Sequence, residues 1–237
     1  MISVCVAAFN GEKYIEEQIL SVLGNLDSQD EIIISDDGSS DRTRRIVDDL
    51  AEKDRRIRII DGPRKGLIKN FENAIVHSKG DIIFLCDQDD VWKDNKVKTV
   101  IDIFENTDCT LVMHDACIVD SNLSISGCSF FEFKKCKKGY WRNLIKNSYI
   151  GCCMAFKRSI LDYAIPFPDN IPMHDQWIGL LSERVGKVEF CNEQLLLYRR
   201  HSNNASEMTH LPLGEMVKNR AIMLKCINKR IGEKKLY

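Results

Sequence analysis

Acidic residues cluster at two points where an apolar run gives way to polar residues. Asp36 and Asp37 follow the run at residues 32–34, within Ser35-Asp36-Asp37-Gly38-Ser39-Ser40-Asp41. Asp87, Asp89 and Asp90 follow the run at residues 82–85, within Cys86-Asp87-Gln88-Asp89-Asp90. Carboxylates brought to one rim repel each other unless a cation or hydrogen-bond donors compensate. An oxygen-rich site of this kind suits a hard divalent ion, Mg²⁺ or Mn²⁺, which keeps coordination positions open for substrate phosphates. Each stretch read alone is also an ordinary turn followed by a helix N-cap. Clustered Asp after strands serves phosphatases and phosphoacceptor domains too, usually with a nucleophilic Asp on an early strand. No G-x-G-x-x-G or G-x-x-x-x-G-K-[ST] follows any strand, so Rossmann dinucleotide binding and the P-loop have no support.

The elements that must hold these residues alternate. Residues 2–8 form a short apolar run ended by Asn10-Gly11, which reads as a buried strand. Ile15, Ile19, Val22, Leu23 and Leu26 recur at steps of three and four, one face of a helix. Further strands are expected at residues 32–34, 57–60, 82–85 and 110–113. The helices between them are marked by Ile46, Val47 and Leu50, by Leu67, Phe71, Ala74 and Ile75, and by Val97, Val100 and Phe104. Repeated strand–helix–strand units predict an α/β fold, a mainly parallel twisted central sheet with helices on both faces. In such sheets ligands bind beyond the carboxyl ends of the strands. The acidic stretches and the loop at residues 7–12 should therefore line one site. The second half is less regular: Lys and aromatic residues over 130–142, a strand at 151–156, a helix at 175–184, strand material at 188–199 and apolar residues spaced over 213–231.

Composition narrows the class. The chain has 237 residues, 34 Lys+Arg against 35 Asp+Glu and a formal net charge of -1, which gives no global attraction to nucleic acid. No apolar run approaches the roughly 18–20 residues of a membrane span. The start has no basic region of the kind a signal peptide carries, and a cytoplasmic location is expected. Ten cysteines without a CxxC pair read as small buried thiols rather than a disulfide framework.

Four motifs in order then carry a resemblance: V-x-x-F-N-G-E-K-Y-I from Val6, S-D-D-G-S-S-D from Ser35, D-Q-D-D-V-W from Asp87 and H-D-x-W from His174. Together they are similar to family 2 glycosyltransferases of the GT-A fold, over roughly residues 2–204. The D-Q-D-D-V-W wording and the Y-R-R-H-S-N-N stretch from Tyr198 most resemble the bacterial rhamnosyltransferase-like branch. The resemblance implies an inverting, divalent-metal-dependent transfer of a hexosyl or rhamnosyl group. The donor would be a nucleotide diphosphate sugar of UDP or dTDP type. The acceptor would be a saccharide, lipid-linked in one reading, in bacterial cell-surface polysaccharide synthesis. It further implies one GT-A domain over residues 1–237, with a nucleotide-sugar-binding half at 1–115, an acceptor-side half at 116–212 and a basic amphipathic helix at 213–237.

Residue roles follow from the same resemblance. Ala7, Phe9 and Asp37 would hold the base and ribose, with Lys69 and Asn70 the nearest candidates for a basic position near the nucleotide. Asp87 would lie near the ribose, and Asp89 and His201 would ligate the metal. Asp175 would be the general base, helped as the acceptor oxygen attacks a carbon and loses its proton. It sits after Pro172 at an expected helix start, where the helix dipole would keep it ionised. Asp115, Gly151 and Trp177 would shape the donor-sugar and acceptor pocket. The plainer readings are an N-cap for Asp175 and core packing for Trp177. Arg199 and Arg200 offer phosphate partners. Residues 215–237 carry seven Lys or Arg against two Glu, a local net charge of +5, which suits either a solvated helix or peripheral contact with the inner face of a membrane. A non-catalytic nucleotide-sugar-binding or assembly subunit is the rival from another class.

Overall fold

β1 (Ile2–Ala8) lies between two parallel neighbours, β2 (Glu31–Asp36) and β4 (Ile82–Asp87), and β3 (Ile57–Asp61) flanks β2. The structure, a computed structural model, describes residues 1–201 and 212–234. β1 is apolar on both faces and buried from Ser3 onward, so only a central position with cover on each side satisfies it. That cover includes α1 (Ile15–Leu23), α2 (Thr43–Ala51) and α3 (Leu67–His77), which connect these strands. Ser3 Oγ donates to Glu31 Oε1 (2.6 Å) and accepts from Gly80 N (2.7 Å), tying the start of β1 to both neighbours.

The register sets the site. Ala8 pairs with Asp36 and Ala7 with Asp87, so both acidic stretches leave the sheet at the same edge as the loop after β1. Parallel pairing with this alignment converts two distant sequence motifs into one rim.

From β4 the sheet turns antiparallel. β8 (Met154–Lys157) pairs with β4 and with β6 (Leu111–Val119); β6 runs parallel to β9 (Val188–Arg199). β5 (Val91–Trp92) pairs with β9, and β7 (Ile125–Ser129) with β6. The remaining helices are α4 (Lys96–Asn106), α5 (Phe130–Lys134), α6 (Tyr140–Ile145), α7 (Leu161–Ala164), α8 (His174–Val185) and α9 (Leu213–Lys234).

Differences from the sequence pattern lie mostly in the second half. The Lys- and aromatic-rich segment forms two short helices; α5 is held by a capping box between Ser129 and Glu132. Residues 151–153 form a 3₁₀ turn rather than the start of a strand. β6 extends six residues past the expected end at 113 because every one of its residues is buried. All ten cysteines are free thiols. No helix among the described residues is long and apolar enough to cross a membrane.

Candidate active site

A cavity of about 490 Å³ opens at the carboxyl edge of the parallel strands. Ala7, Phe9, Asp37, Asp87, Asp89, Gly151 and Asp175 all line it. Its size falls within the usual range for small-ligand pockets. His201 lies in an adjoining depression with Asp89, and its Nε2 is 2.9 Å from Asp89 Oδ2. Residues 202–204 of the Y-R-R-H-S-N-N stretch are outside the described residues.

Asp36 and Asp37 divide their work. Asp36 Oδ1 accepts from Ser39 N (3.1 Å) and Ser39 Oγ (2.5 Å), bracing the turn. Asp37 lines the cavity and accepts from Gly66 N (2.7 Å) and Lys65 N (3.3 Å), which fixes its carboxylate against the start of α3. Gly66 has φ 81°, a left-handed conformation that favours glycine. Gly62 approaches so closely that a Cβ there would lie 2.8 Å from Asp36 O and from Asp37 Cα.

The loop after β4 is strapped to the loop after β1. Gln88 Oε1 accepts from Phe9 N (2.9 Å) and Gln88 Nε2 donates to Phe9 O (3.0 Å), mimicking a strand pair through one side chain. Phe9 is thereby held with its ring exposed at the mouth of the cavity. Behind the rim, Arg199 is almost fully buried. Its Nε donates to Asp89 O (2.7 Å), Nη1 to Ser121 O (3.0 Å) and Nη2 to Glu17 Oε2 (2.5 Å), and its guanidinium lies 4.5 Å from the Tyr14 ring centroid. Arg199 is therefore a brace for the Asp89 loop, not the phosphate partner its sequence position suggests. Lys96 is fully buried, donates to Cys152 O (2.7 Å) and sits 3.9 Å from the Trp92 ring centroid. Its charge opposes the upward shift of Asp87.

Burial dominates the electrostatics. It pushes Asp87 up to about 7, and the neighbouring Asp89 charge adds to that. Asp89 is raised as well, by burial, against the lowering influence of His201. Asp90 is raised well above the usual range by burial and by both neighbours. Repelling carboxylates at a cavity wall are the condition a divalent cation relieves, and Asp89 with His201 offers an oxygen and an imidazole nitrogen at one point. The donor set thus fits Mg²⁺ or Mn²⁺. Asp87, Asp90 and Cys152 also bring one donor atom each within 4.8 Å. There, however, Asp90 Oδ1 holds Arg199 N (2.9 Å) and burial keeps Cys152 a neutral thiol, a poor partner for a hard ion.

Asp175 lies in the first turn of α8, two residues after the N-cap position at Met173. Gln176 N donates to its Oδ1 (2.5 Å), and Gly151 N also donates to the carboxylate. Burial nevertheless pushes Asp175 up to about 7, with the Asp87 charge adding to the shift. The expectation that the helix dipole keeps it ionised is thus corrected: desolvation outweighs the amide donors. His174 beside it is buried, stacks on Phe71 with centroids 4.3 Å apart, and is pushed down to about 3 by burial.

Three sequence candidates are not brought to the cavity. Lys69 turns away and binds Phe167 O (2.9 Å), Glu72 (2.8 Å) and Asp169 (3.0 Å). The cavity wall there is made by Arg64, Gly66, Leu67 and Asn70. Asp115 is buried, its Oδ1 accepting from Ala116 N (2.7 Å) and Phe131 N (2.8 Å) at the start of α5. Trp177 is fully buried, with Nε1 donating to Ala164 O (3.0 Å), so it packs as core. Gln88 and Lys96 escape the sequence reading, which also gives Arg199 a phosphate role in place of a bracing one. Gln88 alone had a signal, its place inside the acidic motif.

A twisted, mostly parallel sheet whose carboxylate-lined edge opens into one cavity is the architecture of the GT-A fold. The crystal structure of S. aureus TarS 1-349 in complex with UDP-GlcNAc superposes with a TM-score of 0.74 at 18% identity, covering 94% of this chain and 66% of that one. The sequence profile of Glycosyl transferase family 2 matches residues 3–164. The chain belongs to that family. An uncharacterized glycosyltransferase of Nostoc sp. is 27% identical over 212 residues, 86% of this chain and 66% of the relative. An Escherichia coli UDP-Glc:alpha-D-GlcNAc-diphosphoundecaprenol beta-1,3-glucosyltransferase is 28% identical over 189 residues, 77% of this chain and 70% of the relative. The chain thus spans about two thirds of the length of these relatives.

Proposed function

We propose that the chain transfers a sugar, with inversion, from a UDP or dTDP sugar to a saccharide acceptor in bacterial cell-surface polysaccharide synthesis. The observation that carries this reading is the convergence of Asp37, Asp87, Asp89 and Asp175 on one cavity. Asp37 and Phe9 grip the nucleoside end. Asp87 stands by the ribose. Asp89 and His201 would hold a divalent cation, which when bound supplies positive charge against the leaving diphosphate.

Asp175 accepts the proton of the acceptor hydroxyl as its oxygen bonds to the anomeric carbon. The bond from that carbon to the diphosphate oxygen breaks, and the electron pair leaves with the nucleotide diphosphate. With Asp175 as the one base on the acceptor side and a single displacement at the anomeric carbon, the configuration inverts. The E. coli relative, named for a diphosphoundecaprenol-linked acceptor, supports a lipid-linked acceptor here and peripheral contact of basic α9 with the membrane.

The deciding experiment incubates the protein with UDP- and dTDP-hexoses, Mn²⁺ and a diphospholipid-linked N-acetylhexosamine. Formation of a disaccharide of inverted anomeric configuration is expected. Donor binding without transfer to any acceptor would instead make the chain a nucleotide-sugar-binding subunit.

A further inference from the structure

We infer that α6 and the first turns of α9 form a surface that docks on an anionic lipid bilayer. Four large apolar side chains stand out into solvent on these two helices: Trp141 (65% exposed), Ile145 (61%), Leu213 (79%) and Val217 (59%). The helices are fastened together, with Arg220 donating from Nε (2.9 Å) and Nη2 (2.5 Å) to Ile145 O. Exposed apolar side chains gathered in this way mark an interaction site.

The charges around them select the partner. Residues 134–146 contain six Lys or Arg and no Asp or Glu. Protein interfaces are depleted of Lys at their centres. Nucleic acid would use the cations but has no use for exposed Ile, Leu and Val. A bilayer with anionic headgroups uses both, since cations meet the headgroups while apolar chains and an indole ring enter the boundary. The position also suits an acceptor presented from a membrane. Gln176 Nε2 donates to Asn143 O (2.9 Å), so α6 is one hydrogen bond away from the residue that follows Asp175.

This surface deepens the peripheral contact proposed for α9, and rests on it. The test reads both separately and needs no enzymatic turnover. Trp92 and Trp177 are buried, so Trp141 supplies the solvent-exposed emission. Vesicles of phosphatidylglycerol and phosphatidylcholine in equal parts should shift wild-type emission to the blue, protect it from iodide and co-sediment the protein at low salt. Phosphatidylcholine alone should do none of the three. Trp141→Ala with Ile145→Ser should weaken sedimentation by roughly tenfold while the thermal unfolding midpoint stays in place. Absence of sedimentation by the wild type overturns membrane contact altogether. Sedimentation that survives the α6 changes but is lost in Lys225→Glu with Lys229→Glu overturns this surface and leaves contact through the later turns of α9. Sedimentation without a blue shift overturns insertion of Trp141.

Discussion

His201 Nε2 rests 2.9 Å from Asp89 Oδ2, although 112 residues separate them in sequence. The pair closes the acidic rim from the far side of the sheet and gives the proposed cation its two ligands. Asp89→Ala should lower transfer by about 10²–10³-fold with the fold intact by circular dichroism. His201→Ala should act more mildly, raising the Mn²⁺ concentration for half-maximal rate by about tenfold or more. Initial rates across a Mn²⁺ titration distinguish the two. Undiminished turnover by a folded Asp89→Ala protein would remove this carboxylate from the site.

Asp175 yields a paired prediction on rate and stability. The free enzyme should gain kcat/KM as pH rises through about 7, where the buried carboxyl loses its proton. Asp175→Asn should abolish that limb and slow transfer by about 10²–10⁴-fold.

Its stability should change the other way. A carboxyl raised in the folded state takes stability away once the unfolded chain ionises near 3.8, and the loss grows until pH reaches about 7. Asp175→Asn escapes the loss. Its advantage in urea unfolding should be nil near pH 3, grow between, and level off above pH 7 at about 4 kcal/mol. A flat difference between pH 3 and pH 8 would contradict the burial-driven shift.

Gln88 positions Phe9 without reaching the reacting atoms. Gln88→Ala removes both amide bonds and should weaken nucleotide diphosphate binding by about tenfold, through roughly 1–1.5 kcal/mol of lost ordering. The effect belongs in KM, leaving kcat within a small factor. Gln88→Glu retains the acceptor for Phe9 N but loses the donor to Phe9 O, and should fall between. A change confined to kcat would exclude a positioning role.

Arg199→Ala removes donors to Asp89 O, Ser121 O and Glu17 at a buried position. Unfolding free energy should drop by about 3 kcal/mol, with metal affinity falling in parallel because the Asp89 loop loses its brace. Arg199→Lys keeps the charge but not the fork of donors, so it should rescue stability only in part. Equal stability of wild type and Arg199→Ala in urea would refute the brace.

The strand ends were readable because parallel pairing needs only period and register, and Ala7–Asp87 and Ala8–Asp36 bring separated motifs to one edge. On the helices, what failed was rotational phase. Consecutive helical residues point about 100° apart. Asn70 therefore reaches Ala8 O and Ser35 O while Lys69, one residue earlier, faces Phe167 and Asp169. Trp177 follows Asp175 by two residues, and that rotation carries it from the cavity into the core. The bracing role of Arg199 and the burial of Lys96 were hidden for another reason. Their partners are carbonyls and rings from distant segments, and no local pattern encodes such a meeting.

The pairing of β9 with β5 and β6 has a kinetic consequence. The β3-β2-β1-β4 sheet can assemble from neighbouring segments, but Arg199 and His201 reach the rim only once the chain has returned across nearly half its length. Contacts so far apart in sequence are slow to close. After dilution from denaturant, helical signal should therefore recover ahead of nucleotide binding, and partly refolded chains should carry a formed sheet with an open, ligand-blind edge.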